Sequence, residues 1–419
     1  MENDGGPLPA LRRDLDVSPY EHSGKSMFVV RDKEGLLPQP VVVSSAAMIL
    51  ASFLDGKHTA EEVRRLFAQI TGTVLDRAEV LRIVAELGKI GLVETPEIIA
   101  EHGRFLKEFI ESPVRKAVHL GNGGYPSGKQ ELSKFLGAFF RDAKGPGKGK
   151  PDLPSGTSPK GLVSPHIDFF RGGPAYAWAY QALAQTPPPD AIVALGVAHI
   201  SPDSPWIMTP KAYETPFGRM RVDTELYNDI KKSLWYDPRR DEWAHRNEHS
   251  LEFQAVWLKY IWGNKTPPWV PILCSSFEGL CDEGTPSTVP TIENALEEIG
   301  ERLKKRAKKK RILVLAGVDL AHVGPCFGDP DPINRAAEKR IETEDRRSIE
   351  HLLDLDAEAF YGSVVAGDHW RKVCGLSTLY TAARWIRALN NGIRGELLTY
   401  GQAADPRGGV VSFTSAIYR

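Results

Sequence analysis

The chain has 419 residues, 26% of them charged and 42% hydrophobic, with a formal net charge of −1. That length holds two or three domains, and the near-neutral balance argues against nucleic acid or an anionic membrane surface as the partner. No run approaches the roughly 18 apolar residues of a membrane helix, and the opening Met1–Gly6 lacks a basic, then apolar, leader. A cytoplasmic protein is expected. The four cysteines, Cys274, Cys281, Cys326 and Cys374, show no C-x-x-C spacing, as in a reducing compartment.

In chain order, Met27–Asp32 and Pro40–Val43 flank a turn with Gly35 and read as a hairpin. Three helical stretches follow. Ser44–Leu54 closes at Asp55-Gly56. Thr59 then caps a helix carrying Glu61 and Glu62 in its first turn, and Asp76–Lys89 places Val80, Leu81, Val84 and Leu87 at helical spacing. A hairpin plus three helices is a winged-helix-like order, and it resembles the peptide-binding domain of the PqqD type. A docking role is the other reading of that domain. DNA binding is disfavoured, because Arg64, Arg65, Arg77 and Arg82 are interleaved with acids. The Gly/Pro/Lys stretch near 143–160 reads as a flexible loop.

From Gly161 onward, apolar strand-like runs (161–164, 191–196, 205–209, 269–273, 311–317, 396–401, 410–418) alternate with helical patterns. The expectation is an α/β fold: one central, mainly parallel or mixed sheet flanked by helices, preceded by the small α+β domain.

Three strand-like runs lead into a histidine. Leu162-Val163-Ser164-Pro165 precedes His166, Ala191–Ala198 precedes His199, and Ile312–Ala321 precedes His322, with Asp319 beside it. Ligands of open α/β sheets bind at the carboxyl ends of the strands. A lone histidine there is more often structural, but three in the same context point to a metal or to acid–base work. His249 opens an amphipathic helix, flanked by Glu248 and Glu252, and can reach the same rim. Cys374 precedes another helix, where the dipole is expected to favour thiolate. His22, His58, His102, His119 and His351 have no partner pattern and read as surface or core residues; His245 is close to His249 without a clear task. Cys326, four residues after His322, is a spare ligand candidate. No G-x-S-x-G elbow, P-loop or dinucleotide fingerprint is present.

Together these stretches resemble the MEMO family: Ser-Pro-His166, Gly196-Val-Ala-His199, Tyr213-Glu-Thr-Pro216, Glu248-His-Ser-Leu-Glu252, Asp319-Leu-Ala-His322, Cys374-Gly375 and Tyr400-Gly-Gln-Ala403. Arg115-Lys116-Ala117 through Pro126 resembles the opening of that domain. The division is therefore set at 1–112, PqqD-like, and 113–419, MEMO-like. Prokaryotic members are known as AmmeMemoRadiSam system protein B, which implies an AMMECR1-like protein and a radical-SAM enzyme as partners. The family's fold is similar to LigB-type class III extradiol dioxygenases, with non-heme iron. The resemblance implies that His166, His199 and Cys374 hold one transition metal ion, iron or copper before zinc. His322, His249 and Asp319 then line the pocket as catalytic groups. Two positions depart from the family pattern: Ile167-Asp168-Phe169 follows His166, adding a polar group at Asp168, and a single histidine, His199, follows the second strand.

Three functional readings stay open. The first is a metal-dependent oxidoreductase of non-heme dioxygenase type. The second is a non-catalytic module that binds a peptide or small acid in the former pocket. The third is a metal-dependent hydrolase.

Overall fold

The computed structural model describes residues 5–22, 24–32, 34–37, 39–121, 124–147, 158–200, 203–281, 284–405 and 407–419. Much of the loop expected near 143–160 lies outside them. The chain forms two compact units, Met1–Glu111 and Ser112–Arg419.

The first unit is an antiparallel sheet with helices. Its strands are β1 (Leu15–His22), β2 (Lys25–Asp32) and β3 (Val41–Ser44), in the order β1-β2-β3. Its helices are α1 (Ser45–Ala51), α2 (Ala60–Thr71), α3 (Arg77–Lys89) and α4 (Pro96–Glu111). Thr59 with Glu62, and Asp76 with Glu79, form complete capping boxes at α2 and α3. Val30, Val63, Val80 and Leu92 are fully buried in its core. The expected hairpin is thus part of a three-stranded sheet, because β1 pairs with β2 along its whole length.

The second unit begins with β4 (Val114–Arg115), α5 (Lys129–Phe139), β5 (Gly161–Ser164), α6 (Phe169–Ala184), β6 (Ala191–Val197) and β7 (Trp206–Met208). It continues with β8 (Ala212–Tyr213), α7 (Thr224–Lys231), α8 (His249–Trp262), β9 (Trp269–Cys274), α9 (Pro290–Ala307) and β10 (Ile312–Gly317). It ends with β11 (His322–Val323), α10 (Arg335–Leu353), α11 (Ala357–Val365), α12 (Leu376–Leu389), β12 (Gly395–Asp405) and β13 (Gly409–Tyr418). The sheet order is β11-β13-β5-β10-β6-β9-β7, with β12 on β13. Strands β5, β10, β6 and β9 are parallel, and β13 and β7 join them antiparallel. The sheet is therefore mixed, with a parallel centre.

Successive strand side chains point to opposite faces. In β6, Val193 and Leu195 enter the layer of α9 and α12, while Ile192 and Ala194 enter the layer of α6 and α8. Both faces are covered, so the central strands are continuous apolar runs rather than alternating ones. That is why they were visible in the sequence.

Two glycines set how close α8 comes to the sheet. A Cβ on Gly196 would lie 2.5 Å from Ser250 Oγ, and one on Gly317 would lie 2.6 Å from Gln254 Nε2. Helix α6 starts at Phe169, because Asp168 caps it by accepting from Arg171 N at 3.1 Å. Among the described residues, no helix is long and apolar enough to cross a membrane.

The Gly196→Ala variant should lose about 1–3 kcal/mol in urea unfolding, because Ser250 and Leu251 must move. Gly103 in α4 has open space around it, so Gly103→Ala should gain up to ~1 kcal/mol from helix propensity.

Candidate metal centre

Strands β5, β10 and β6 are neighbours, and their ends fall level, with Gly317 opposite Ser164 and Ala316 opposite Leu195. The residues just past these ends are His166, Asp319 and His199, in that spatial order. Helix α8 begins beside them with His249. One ring nitrogen from each of His166, His199 and His249 lies within 4.8 Å of the other two. The ring centroids are 5.0 Å apart for His166 and His199, 5.1 Å for His166 and His249, and 4.8 Å for His199 and His249. Cys374 brings its Sγ to 3.4 Å from His166 Nε2.

Each imidazole is oriented through its Nδ1. His166 Nδ1 donates to Gly317 O at 3.1 Å. His199 Nδ1 meets Glu248 Oε2 at 2.9 Å, and His249 Nδ1 meets Glu248 Oε1 at 3.3 Å. A carbonyl or carboxylate on one ring nitrogen fixes the tautomer and leaves the other as the ligand atom, the arrangement normally found around bound metals. Glu248 itself is held as the N-cap of α8, accepting from Ser250 N at 2.8 Å.

Burial and the charges these groups place on one another set their ionisation. Burial pushes His166 well below the ordinary histidine range and His249 down to about 3. Glu248 goes well below the carboxylate range, because His199 and His249 outweigh the cost of its own burial. Burial opposes protonation of His199 too, but Glu248 and Cys374 outweigh it and raise that ring. The His199 side chain keeps 35% of its surface exposed, so the site opens on its side. Burial raises the Cys374 thiol, against the pull of His199. Cys374 stands just before Gly375, the N-cap of α12, so the helix end that favours thiolate is opposed here by desolvation.

Asp319 and His322 differ in their ionisation. Asp319 Oδ1 accepts from His166 N at 3.0 Å, and its Oδ2 lies 3.6 Å from His166 Nε2. Burial raises its carboxyl to about 7, against those backbone donors. Burial lowers His322 to about 4, although its Nδ1 donates to Leu320 O at 3.0 Å. Asp319, rather than His322, titrates near neutrality.

The segment leading to Cys374 is strained. Asp368, His369 and Lys372 have φ of +60°, +51° and +47°, conformations that cost non-glycine residues of order 1–2 kcal/mol each. Arg371 anchors the segment through Asp345 at 2.7 Å and Ser348 at 2.9 Å, and its carbonyl accepts from His322 N at 2.7 Å. His369 adds a pair with Glu278 at 2.7 Å.

Other histidines sort as follows. His119, read from the sequence as surface or core, lies beside the site: its ring is 5.7 Å from that of His249 and its Nδ1 is 3.0 Å from Glu252 Oε2. Glu252, fully buried, also takes Tyr125 OH at 2.5 Å and pairs with the buried Arg115. His245 is a buried, satisfied core residue, bonded to Tyr213 OH at 2.7 Å and Ile207 O at 3.0 Å. The Asp168 carboxylate is taken up by the α6 cap and by Arg171 at 2.6 Å. Among the described residues, the donor cluster consists of the three imidazoles alone: Cys326 is not in it, and Cys374 adjoins it through His166.

Residues 115–417 match the family model described as Memo-like protein. A MEMO1 family protein of Aquifex aeolicus is 26% identical over 394 residues, 93% of this chain and 93% of its own. That alignment is too long to lie within 115–417, so it extends into the first unit. MEMO1 family proteins of Thermus thermophilus and Methanopyrus kandleri are each 29% identical, covering 73% and 70% of this chain and 83% and 95% of theirs.

Asp319 gives a pH test in the metal-free protein. Its folded value, about 7, is above the unfolded aspartate value near 3.9. Its stabilising contribution is therefore complete below about pH 4 and is lost as pH rises to 7. The stability of Asp319→Asn relative to wild type should rise by roughly 1.4 kcal/mol per pH unit at most across that window. A flat difference in urea midpoints from pH 4 to 7 would refute the raised carboxyl.

Proposed function

This chain belongs to the Memo-like protein family, and on that premise we propose that its second unit binds one transition metal ion for redox chemistry on a small-molecule or peptide ligand. His166, His199 and Cys374 are the proposed ligands. The carrying observation is that three neighbouring imidazoles each have Nδ1 occupied by a carbonyl or by Glu248, with a thiol 3.4 Å from one of them. Orienting acceptors of this kind accompany metal-bound histidines, and a two-histidine, one-thiolate set suits copper, iron or zinc. Iron or copper is favoured by the resemblance to non-heme iron enzymes. The ion would supply electron transfer and an open position for the ligand.

The remaining residues have separable tasks. Glu248 orients His199 and His249 together. Asp319 holds or releases a proton near neutral pH beside His166 Nε2. His249 stands as a third imidazole facing the same space, and His322 remains neutral at physiological pH. The side of His199 left open to solvent is the entry route.

Anaerobic purification followed by elemental analysis should find about one iron or copper per chain. His166→Ala and Cys374→Ser should each lose it, and Cys374→Ser should also remove any thiolate-to-metal absorption band. Glu248→Gln should weaken affinity by about 10- to 100-fold. Unchanged metal content in the two ligand variants would sink the assignment. Stoichiometric zinc would replace the redox reading with the hydrolytic one.

A further inference from the structure

The far end of α8 carries a second feature. Lys259 and Tyr260 lie about ten residues beyond His249, roughly 15 Å along the helix axis. There they line a groove of about 690 Å³, with Lys129, Ser133 and Lys134 of α5 and with Phe217. Among the described residues, the lining contains three lysines and no acid.

Lys259 is the unusual member. Its residue is 7% exposed, yet the partner of its Nζ is the carbonyl of Gly263, at 2.9 Å. An ammonium has three donors, and buried charges are normally paired with an opposite charge. The other buried cations follow that rule: Arg115 faces Glu252 and Arg371 faces Asp345. Lys259 instead has Arg221 and Lys129 as its charged neighbours, and these add to burial in lowering its pKa.

The opposite wall is built rather than incidental. Thr215 closes a tight turn, accepting from Gly218 N at 2.9 Å and donating to Gly218 O at 2.7 Å. Gly218 has φ of +108°, and a Cβ there would come within 3.7 Å of Lys259 Nζ. The turn places the Phe217 ring 5.7 Å from that of Tyr260, so an aromatic wall stands beside the cations.

We propose that this groove binds a small phosphorylated ligand carrying a flat ring, its phosphate on Lys259, Lys129 and Lys134 and its ring against Tyr260 and Phe217. The site is separate from the metal centre and does not depend on it. Charge-assisted bonds to phosphate are strong, and aromatic stacking adds affinity for the ring.

Calorimetric titration of the full chain with adenosine monophosphate, inorganic phosphate and adenosine tests this. The nucleotide should saturate, phosphate should bind more weakly, and adenosine should not bind at the same concentrations. Nucleotide affinity should fall at least tenfold in Lys259→Met and should persist in Cys374→Ser, which separates the groove from the metal site. Should Lys259→Met fail to fold by circular dichroism, the exposed pair Lys129→Ala with Lys134→Ala gives the same reading. No saturation up to about 10 mM nucleotide, equal binding of adenosine, affinity unchanged in the folded lysine variant, or loss of binding in Cys374→Ser would each overturn the proposal.

Discussion

The Glu248 carboxylate sits 5% exposed between His199 and His249, one oxygen against the Nδ1 of each. It also accepts from His199 N at 3.2 Å and caps α8 through Ser250 N. One group thus ties the end of β6 to the start of a helix on the sheet face and sets the direction of two imidazoles. Isolated, such a carboxylate would not remain charged in the interior. Here its charge is compensated by His199, whose ring it raises, so the orientation of that ring and the ionisation of the carboxylate stabilise each other.

Around that carboxylate the second unit repeats the same solution. Glu252 is satisfied by Arg115, Tyr125 and the His119 segment. Asp345 is satisfied by Arg371, by Ser412 at 2.5 Å and by Tyr400 at 3.0 Å. Breaking one side of such a pair strands a buried charge, which costs several kcal/mol. These networks hold segments that the hydrophobic core does not hold: Arg115 and His119 at the beginning of the domain, and the strained 368–372 turn before Cys374. Asp319 is the exception, an enclosed carboxyl without a full cation partner, and its raised value follows from that.

The readable part of the site was the part made of local signals. An apolar run followed by histidine marks a buried strand delivering a side chain to its end, and His166 and His199 stand where that pattern placed them. Helix α8 opens at His249 as expected, because its cap and apolar face lie within fourteen residues. His119 was passed over because its partner Glu252 lies 133 positions away, a separation no periodicity records. β11 was missed for a similar reason: two residues long, it exists through pairing with β13. The burial of Cys374, which opposes its ionisation, was not legible, because a helix terminus is visible in sequence and desolvation is not.

The sequence by itself determined the layered α/β architecture, through fully apolar strands alternating with amphipathic helices, and it determined which side chains stand at the strand ends. Tertiary structure decided how those residues ionise and which of them meet. Ionisation depends on burial and on charges brought from distant segments, as Glu248 meets His199 and Arg115 meets Glu252. Local composition specifies neither.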